Sequence, residues 1–494
     1  MAKPSEACQT CKIRRIKCDE AKPTCQRCTK SHRICIQANA VKEACFSIQI
    51  ENRYASGKAK RPRGPRSNLS LTRPYFDLQT RALDYYFQNH LHALAEIPQV
   101  SQGLSEAVVL FNNSGPPSPM VDLAIACMAL AVFGRRNLDP AAAIEASSSY
   151  CRLLRIAQER FARLPSSDER DIDACLLAIT IMGRFESVTA QCSMRNRLSK
   201  ETAGNPLSWS HHDGAMAILK VWYDRMNQIP ASFIIRSTRR CLVKACLLRH
   251  RPLPDWLLDH GRFGEEGFAD KFDWIFSRIV RLHYVATTQE DGKELKGCAI
   301  LGLKEEAEML EKDLQDWEAQ MPSQWSYQRH TLTDPNLYPS IDYHSSTVYS
   351  FSKPGHTAIW SQYLSAKMLI CSIILGLLEL AHGPFLCEPS VHRQWIKWTT
   401  ELSMSADKIA SMVPFCVGSL SVSRGPNPKL TINSDADTKP YVGVLVVWPL
   451  TIASSIMKLD GERRNWFRSV LARLGRATGT GVFERTETDK WAQL

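Results

Sequence analysis

Six cysteines near the N-terminus carry the most specific chemistry in the chain. Cys8, Cys11, Cys18, Cys25, Cys28 and Cys35 follow C-x2-C-x6-C-x6-C-x2-C-x6-C, and the last three repeat the first three at an offset of 17 residues. A structural zinc ion takes four thiolates in a tetrahedron. Two separate sites would need eight ligands, but six suffice when two sulfurs bridge. The economical reading is a binuclear centre holding two Zn2+ per chain, with a pseudo-twofold axis supplied by the repeat. A disulfide framework would need an oxidising compartment, and residues 1–10 contain no apolar run of the kind a secretory leader requires. A redox C-x2-C pair belongs on a βαβ unit, and the alternating pattern of a strand is absent here.

Between Cys11 and Cys18 stands Lys12-Ile13-Arg14-Arg15-Ile16-Lys17, four cations in six positions. The spacing predicts about two helical turns, with Thr10 as the cap. Ile13 and Ile16, three apart, should share a face against the cluster. Lys12, Arg14, Arg15 and Lys17 should then project outward, as side chains that read guanine O6 and N7 in a major groove.

These residues, Cys8 through Cys35 with the basic run inside them, resemble the fungal Zn2Cys6 (zinc binuclear cluster) transcription factors. The resemblance implies that Cys8 and Cys25 bridge the metals and that the end of a first short helix lies over a CGG triplet. It implies Arg15 as the main base-reading position, where the family often has lysine. It implies Pro23 as the residue that turns the loop between the halves. Lys30 and Arg33 are assigned to phosphate by pseudo-symmetry. The resemblance further implies double-stranded DNA as partner, RNA polymerase II promoters as the place of action, and the nucleus as location.

Charge supports this placement. The chain carries 62 Lys and Arg against 50 Asp and Glu, a net of +12. Residues 1–70 hold 16 basic and 5 acidic residues, so +11 of that surplus lies there. Two Zn2+ on six thiolates would lower it to +9, still suited to phosphate. Residues 71–494, at +1, are electrostatically ordinary.

Residues 5–37 are therefore read as a zinc module of two short helices with loops, 38–73 as a basic linker, and 74–494 as a large all-α regulatory domain. In the linker, Lys58, Lys60, Arg61, Arg63 and Arg66 alternate with Pro and Gly, which disfavours a helix. They read first as a nuclear localisation signal and second as an arm on phosphates or in a narrow minor groove. A solvated spacer is the bland alternative, and the Gly-Arg-Pro order of an AT-hook is missing. No a/d heptad is sustained between residues 36 and 74, which leaves monomeric binding or homodimerisation through the helical domain.

From Pro74 the apolar pattern turns to period 3.6. Phe76, Leu83, Phe87, Leu91 and Leu94 form one stripe, and Ser118-Pro119 and Asp139-Pro140 open two further helices. Later helices are expected over 171–186, 209–222, 234–248, 301–317, 360–380, 395–412 and 448–474. The apolar runs 120–134, 369–381 and 442–457 fall short of a bilayer span, with Pro449 breaking the third; no membrane is expected. Residues 74–494 resemble, at scattered positions, the fungus-specific transcription factor domain. These positions are Trp209 with His211, Gly214 and Ala215; Ile235-Arg236 and Arg239-Arg240 leading to Pro254 and Trp256-Leu257; and Trp448-Pro449-Leu450. That resemblance implies a regulatory role, through a small-molecule effector or through contact with the transcription machinery.

Catalysis finds little support. His211 and His212 point about 100° apart on a helix and share one metal poorly, and Asp213 fits the first turn. There is no G-x-S-x-G elbow, P-loop or dinucleotide fingerprint, so the chain is not expected to be an enzyme. The rival reading is a metabolite-binding or enzymatic helical domain that uses the zinc module as a tether. A zinc module for protein–protein contact would have no use for four cations between Cys11 and Cys18. RNA binding would want an aromatic stacking platform, which is missing. The eleven other cysteines show no ligand spacing and read as small apolar residues. The twelve tryptophans read as core anchors.

Overall fold

The structure, a computed structural model, describes residues 7–36, 76–91, 103–164, 167–189, 209–225, 229–264, 267–288, 297–383, 388–423, 430–433, 439–488 and 491–494. The chain divides into two compact units, Met1–Tyr75 and Phe76–Leu494. The basic linker with Lys58, Lys60, Arg61, Arg63 and Arg66 lies outside the described residues, as does Leu94.

In the first unit, helices α1 (Gln9–Arg14) and α2 (Gln26–Lys30) pack on each other. In the second, helices α3 (Leu78–Asn89), α4 (Leu104–Asn113), α5 (Pro119–Asn137), α6 (Pro140–Ala162) and α7 (Glu169–Thr189) come first. Then follow α8 (Ser210–Arg225), α9 (Phe233–Leu248), the short α10 (His260–Phe263), α11 (Phe268–Thr288) and α12 (Gly297–Glu318). The last four are α13 (Pro354–His382), α14 (Pro389–Val417), α15 (Pro440–Ser455) and α16 (Gly461–Thr478). One continuous apolar core runs through these helices. The 29-residue α13 lies at its centre, packed by α11, α12, α14 and α15.

Starts follow capping chemistry. Asp139 caps α6 by accepting from Ala141 and Ala142 N–H, with Pro140 in the first turn, where a missing N–H costs nothing. The α5–α6 hairpin is tight because Gly134 lies against it: a Cβ there would meet Ala143 N at 3.0 Å and Asp139 O at 3.1 Å.

Several sequence expectations are corrected. Residues 448–474 form two helices, because Asp460 caps α16 by accepting from Arg463 N–H at 3.0 Å. Pro449 does not break α15; it stands inside it, removing one backbone donor while the apolar packing carries the helix on to Ser455. The expected stripe holds in part: Leu91 is buried and Leu83 packs on the core, but Phe76 and Phe87 are exposed, and tertiary packing turns the face of α3 that is buried toward Ala82 and Tyr86. Helices α4 and α11 were not anticipated. The unit also holds two antiparallel strand pairs. Strand β1 (Tyr327–Thr331) pairs with β2 (Thr347–Phe351), and β3 (Leu420–Val422) with β4 (Leu430–Ile432). Tyr327 and Tyr349 pack their rings 4.5 Å apart across the first pair. Strands of five residues or fewer leave too short an alternation to read.

Helix α13 is long and apolar enough to cross a bilayer by length and composition, although the run 369–381 alone is not. Its side chains, Met368 through Leu375 among them, are mostly buried inside the unit, so it reads as a core helix.

Candidate metal centre and nucleic-acid interface

The 17-residue repeat builds two copies of one local structure. Cys8 caps α1, its sulfur accepting from Cys11 N–H at 3.4 Å; Cys25 caps α2 with Cys28 N–H at the same distance. Each helix is followed by a left-handed residue, Arg15 (φ 53°) and His32 (φ 49°), again 17 apart. From there Ile16 N–H returns to Cys11 C=O and Arg33 N–H to Cys28 C=O. Gln9 N–H donates to Ile36 C=O and its counterpart Gln26 N–H to Asp19. That bond holds the Asp19 carboxyl below its ordinary pKa.

The turn geometry moves the expected helix toward the N-terminus. It starts before Thr10 and ends at Arg14, because the left-handed Arg15 halts it. Thr10 is therefore not the cap. Its hydroxyl donates to Ile34 C=O at 2.8 Å and accepts from Ile36 N–H, fastening the start of the module to its end. Ile13 and Ile16 do not pack on the cluster; they are 61% and 38% exposed, since the cluster face is filled by sulfur.

All six sulfurs converge. Two sets of four lie with their sulfurs within 4.8 Å of one another: Cys8, Cys25, Cys28 and Cys35, and Cys8, Cys11, Cys18 and Cys25. Cys8 and Cys25 belong to both. The Sγ separations are 3.7 Å for Cys8–Cys25, 3.8 Å for Cys8–Cys28 and 3.6 Å for Cys11–Cys25. A tetrahedron with Zn–S bonds of about 2.3 Å has edges of about 3.8 Å. The all-sulfur donor set and its spacing thus fit a binuclear zinc centre of two Zn2+.

Thiol acidity is split within the cluster. The Cys11 N–H draws the Cys8 thiol below its ordinary pKa. Burial pushes Cys11 up, and Cys28 up to about 12. Metal competes with these protons, because only thiolates ligate.

Lys12, Arg14, Arg15, Lys17, Lys30 and Arg33 are all exposed. Arg14 reaches Ser31 Oγ at 3.1 Å, spanning the two halves. Lys22–Pro23 is a cis peptide in the connecting loop.

In the helical unit, His211, His212 and Asp213 go to three different places. His211 Nε2 lies 3.0 Å from Tyr150 Oη and 2.9 Å from Glu186. His212 meets the Trp209 ring edge-on, and Asp213 pairs with Arg249 in the first turn of α8. Of the other cysteines, Cys127, Cys175, Cys246, Cys371 and Cys416 are buried, while Cys151 and Cys241 are exposed. Cys45, Cys192 and Cys387, and the side chain of Cys298, lie outside the described residues. Arg239, legible in the sequence only as part of a scattered resemblance, is fully buried, and its Nε donates to Leu257 C=O at 2.7 Å.

Residues 6–44 match the family model of the fungal Zn(2)-Cys(6) binuclear cluster domain. No curated protein and no solved structure matches the chain.

Proposed function

We propose that the chain is a zinc-dependent, sequence-specific DNA-binding transcription regulator of the nucleus, acting at RNA polymerase II promoters and reading CGG-type triplets. The observation that carries this is the six-sulfur cluster of the zinc-cluster family, shared through Cys8 and Cys25, with exposed cations on the segment it shapes. Zinc supplies the cross-link that holds two helices too short to be stable alone. Arg15, just past the end of α1, is assigned to base edges, with Lys12, Arg14 and Lys17 beside it. Lys30 and Arg33 are assigned to phosphates. Nothing in this reading calls for catalysis, and the helical unit is its regulatory part.

The roles separate by salt and by sequence. Arg15→Ala should cost roughly 1–3 kcal/mol on a CGG duplex and little on a scrambled one. Lys30→Ala should weaken both alike and flatten the slope of log K against log salt by about one. Titrations of the full chain against both duplexes at several salt concentrations measure this. Equal losses on the two duplexes for Arg15→Ala would remove it from base reading.

A further inference from the structure

Within the helical unit lies a cavity of about 390 Å³, of the size that holds a small organic molecule. Its walls come from α3, α4, α5, α7, α9, α13, α15 and α16, so distant parts of the chain meet there. Met128, Leu177, Ile234 and Leu445 supply apolar wall. Into this wall, among the described residues, are set the cations Arg184, Arg240 and Lys244, the carboxylate Glu106, and His90.

The charges differ in how they are already used. Arg240 is held by Asp273 and Asp270. Glu106 accepts the Gly103 N–H at 2.8 Å, closing the start of α4. Lys244 and Arg184 have no ion pair or hydrogen bond among the described residues. Lys244 instead points its amine over the Trp448 ring, 5.1 Å from the centroid. Burial holds that amine below its usual pKa, with Arg240 acting the same way and Cys241 and Asp273 opposing. His90 Nε2 is buried and has no hydrogen-bond partner among the described residues. Asp273 acts on that amine without pairing with it directly, and a buried amine lacking a direct ion pair is costly, a cost that an incoming anion relieves.

We infer that this cavity is a binding site for a small organic anion, a carboxylate-bearing molecule with an apolar body, whose charge lies at Lys244. The ligand's apolar part fills the space against Leu177, Ile234 and Leu445, and Arg184 and His90 are further donors for its polar groups. This deepens the regulatory reading of the helical unit by giving its effector a place and a chemistry. Occupancy would tie α9, which carries Lys244, to α15, which carries Trp448.

Isothermal titration of the zinc-loaded full-length chain tests it. The probes are 1-naphthoate and octanoate, each compared with its primary alcohol. At least one carboxylate should bind one-to-one and about tenfold more tightly than its alcohol, the value of one charge-assisted contact. Lys244→Met should abolish that preference and leave the alcohol's affinity in place. Val444→Trp, at a cavity-wall position that is 47% exposed, should weaken acid and alcohol together without disturbing the core. Circular dichroism checks that each variant is folded. If Lys244→Met does not fold, the acid–alcohol comparison and Val444→Trp still decide. The inference is overturned if neither carboxylate binds, if acid and alcohol bind equally, or if Lys244→Met keeps the full preference. No DNA is present in the titration, so its failure leaves the DNA-binding reading intact.

Discussion

Cys8 and Cys25 do more than the other four ligands. Each caps a helix through its sulfur and each belongs to both four-sulfur sets. Cys25→Ser should therefore cost both zinc ions, whereas Cys18→Ser, which touches one set, should leave about one per chain. Zinc content of the purified chains measures this, and equal losses would contradict the shared-sulfur geometry. In the helical unit, Asp173 accepts a hydrogen bond from Ser232 at 2.7 Å, and Ser232 in turn caps α9. Burial pushes that carboxyl up to about 7. The folded state thus binds more protons than the unfolded chain between about pH 4, the ordinary aspartate value, and pH 7. Its contribution to stability is greatest at low pH and falls as pH rises through that window. Asp173→Asn should melt higher than the parent above pH 7 and lose the advantage near pH 4. A melting difference that does not vary with pH would contradict this.

Among the elements, the short cluster helices show what spacing can and cannot convey. Ligand identity was legible because metal geometry acts through residue type and interval, whatever the local backbone does. Helix bounds were not, because a left-handed Arg15 and a sulfur cap at Cys8 are set by the cluster, and neither has a local signature. In the large unit, long periodic helices such as α6 and α14 were readable, while the Asp460 cap and the rotated face of α3 depended on tertiary packing. Arg239 is a similar case. Read only as part of a scattered resemblance, it is the donor that fastens the turn Asp255–Leu258 to α9, with its guanidinium over the Phe263 ring. Arg239→Met would strand the Leu257 carbonyl and should cost roughly 2–3 kcal/mol. Chemical denaturation of the full chain tests it; a loss below half of that would mean another donor takes over.

For the whole molecule, division of labour follows from charge and compactness. Nearly all the basic surplus lies in the first 70 residues, and the described residues form one small sulfur-centred unit and one large apolar-cored unit. The first could be assigned a chemistry from sequence because few arrangements use six cysteines so spaced. The cavity of the second could not, since its walls are drawn from eight helices whose meeting has no sequence pattern. The central claim is that zinc-held geometry, not basic charge alone, reads DNA. The most direct measurement is binding of the full chain to a CGG duplex and to a scrambled one, before and after zinc is removed by a chelator, with helix content followed throughout. The account predicts a preference for CGG that disappears with the metal while the helical unit stays folded. Equal binding to both duplexes, unchanged by the chelator, would contradict it.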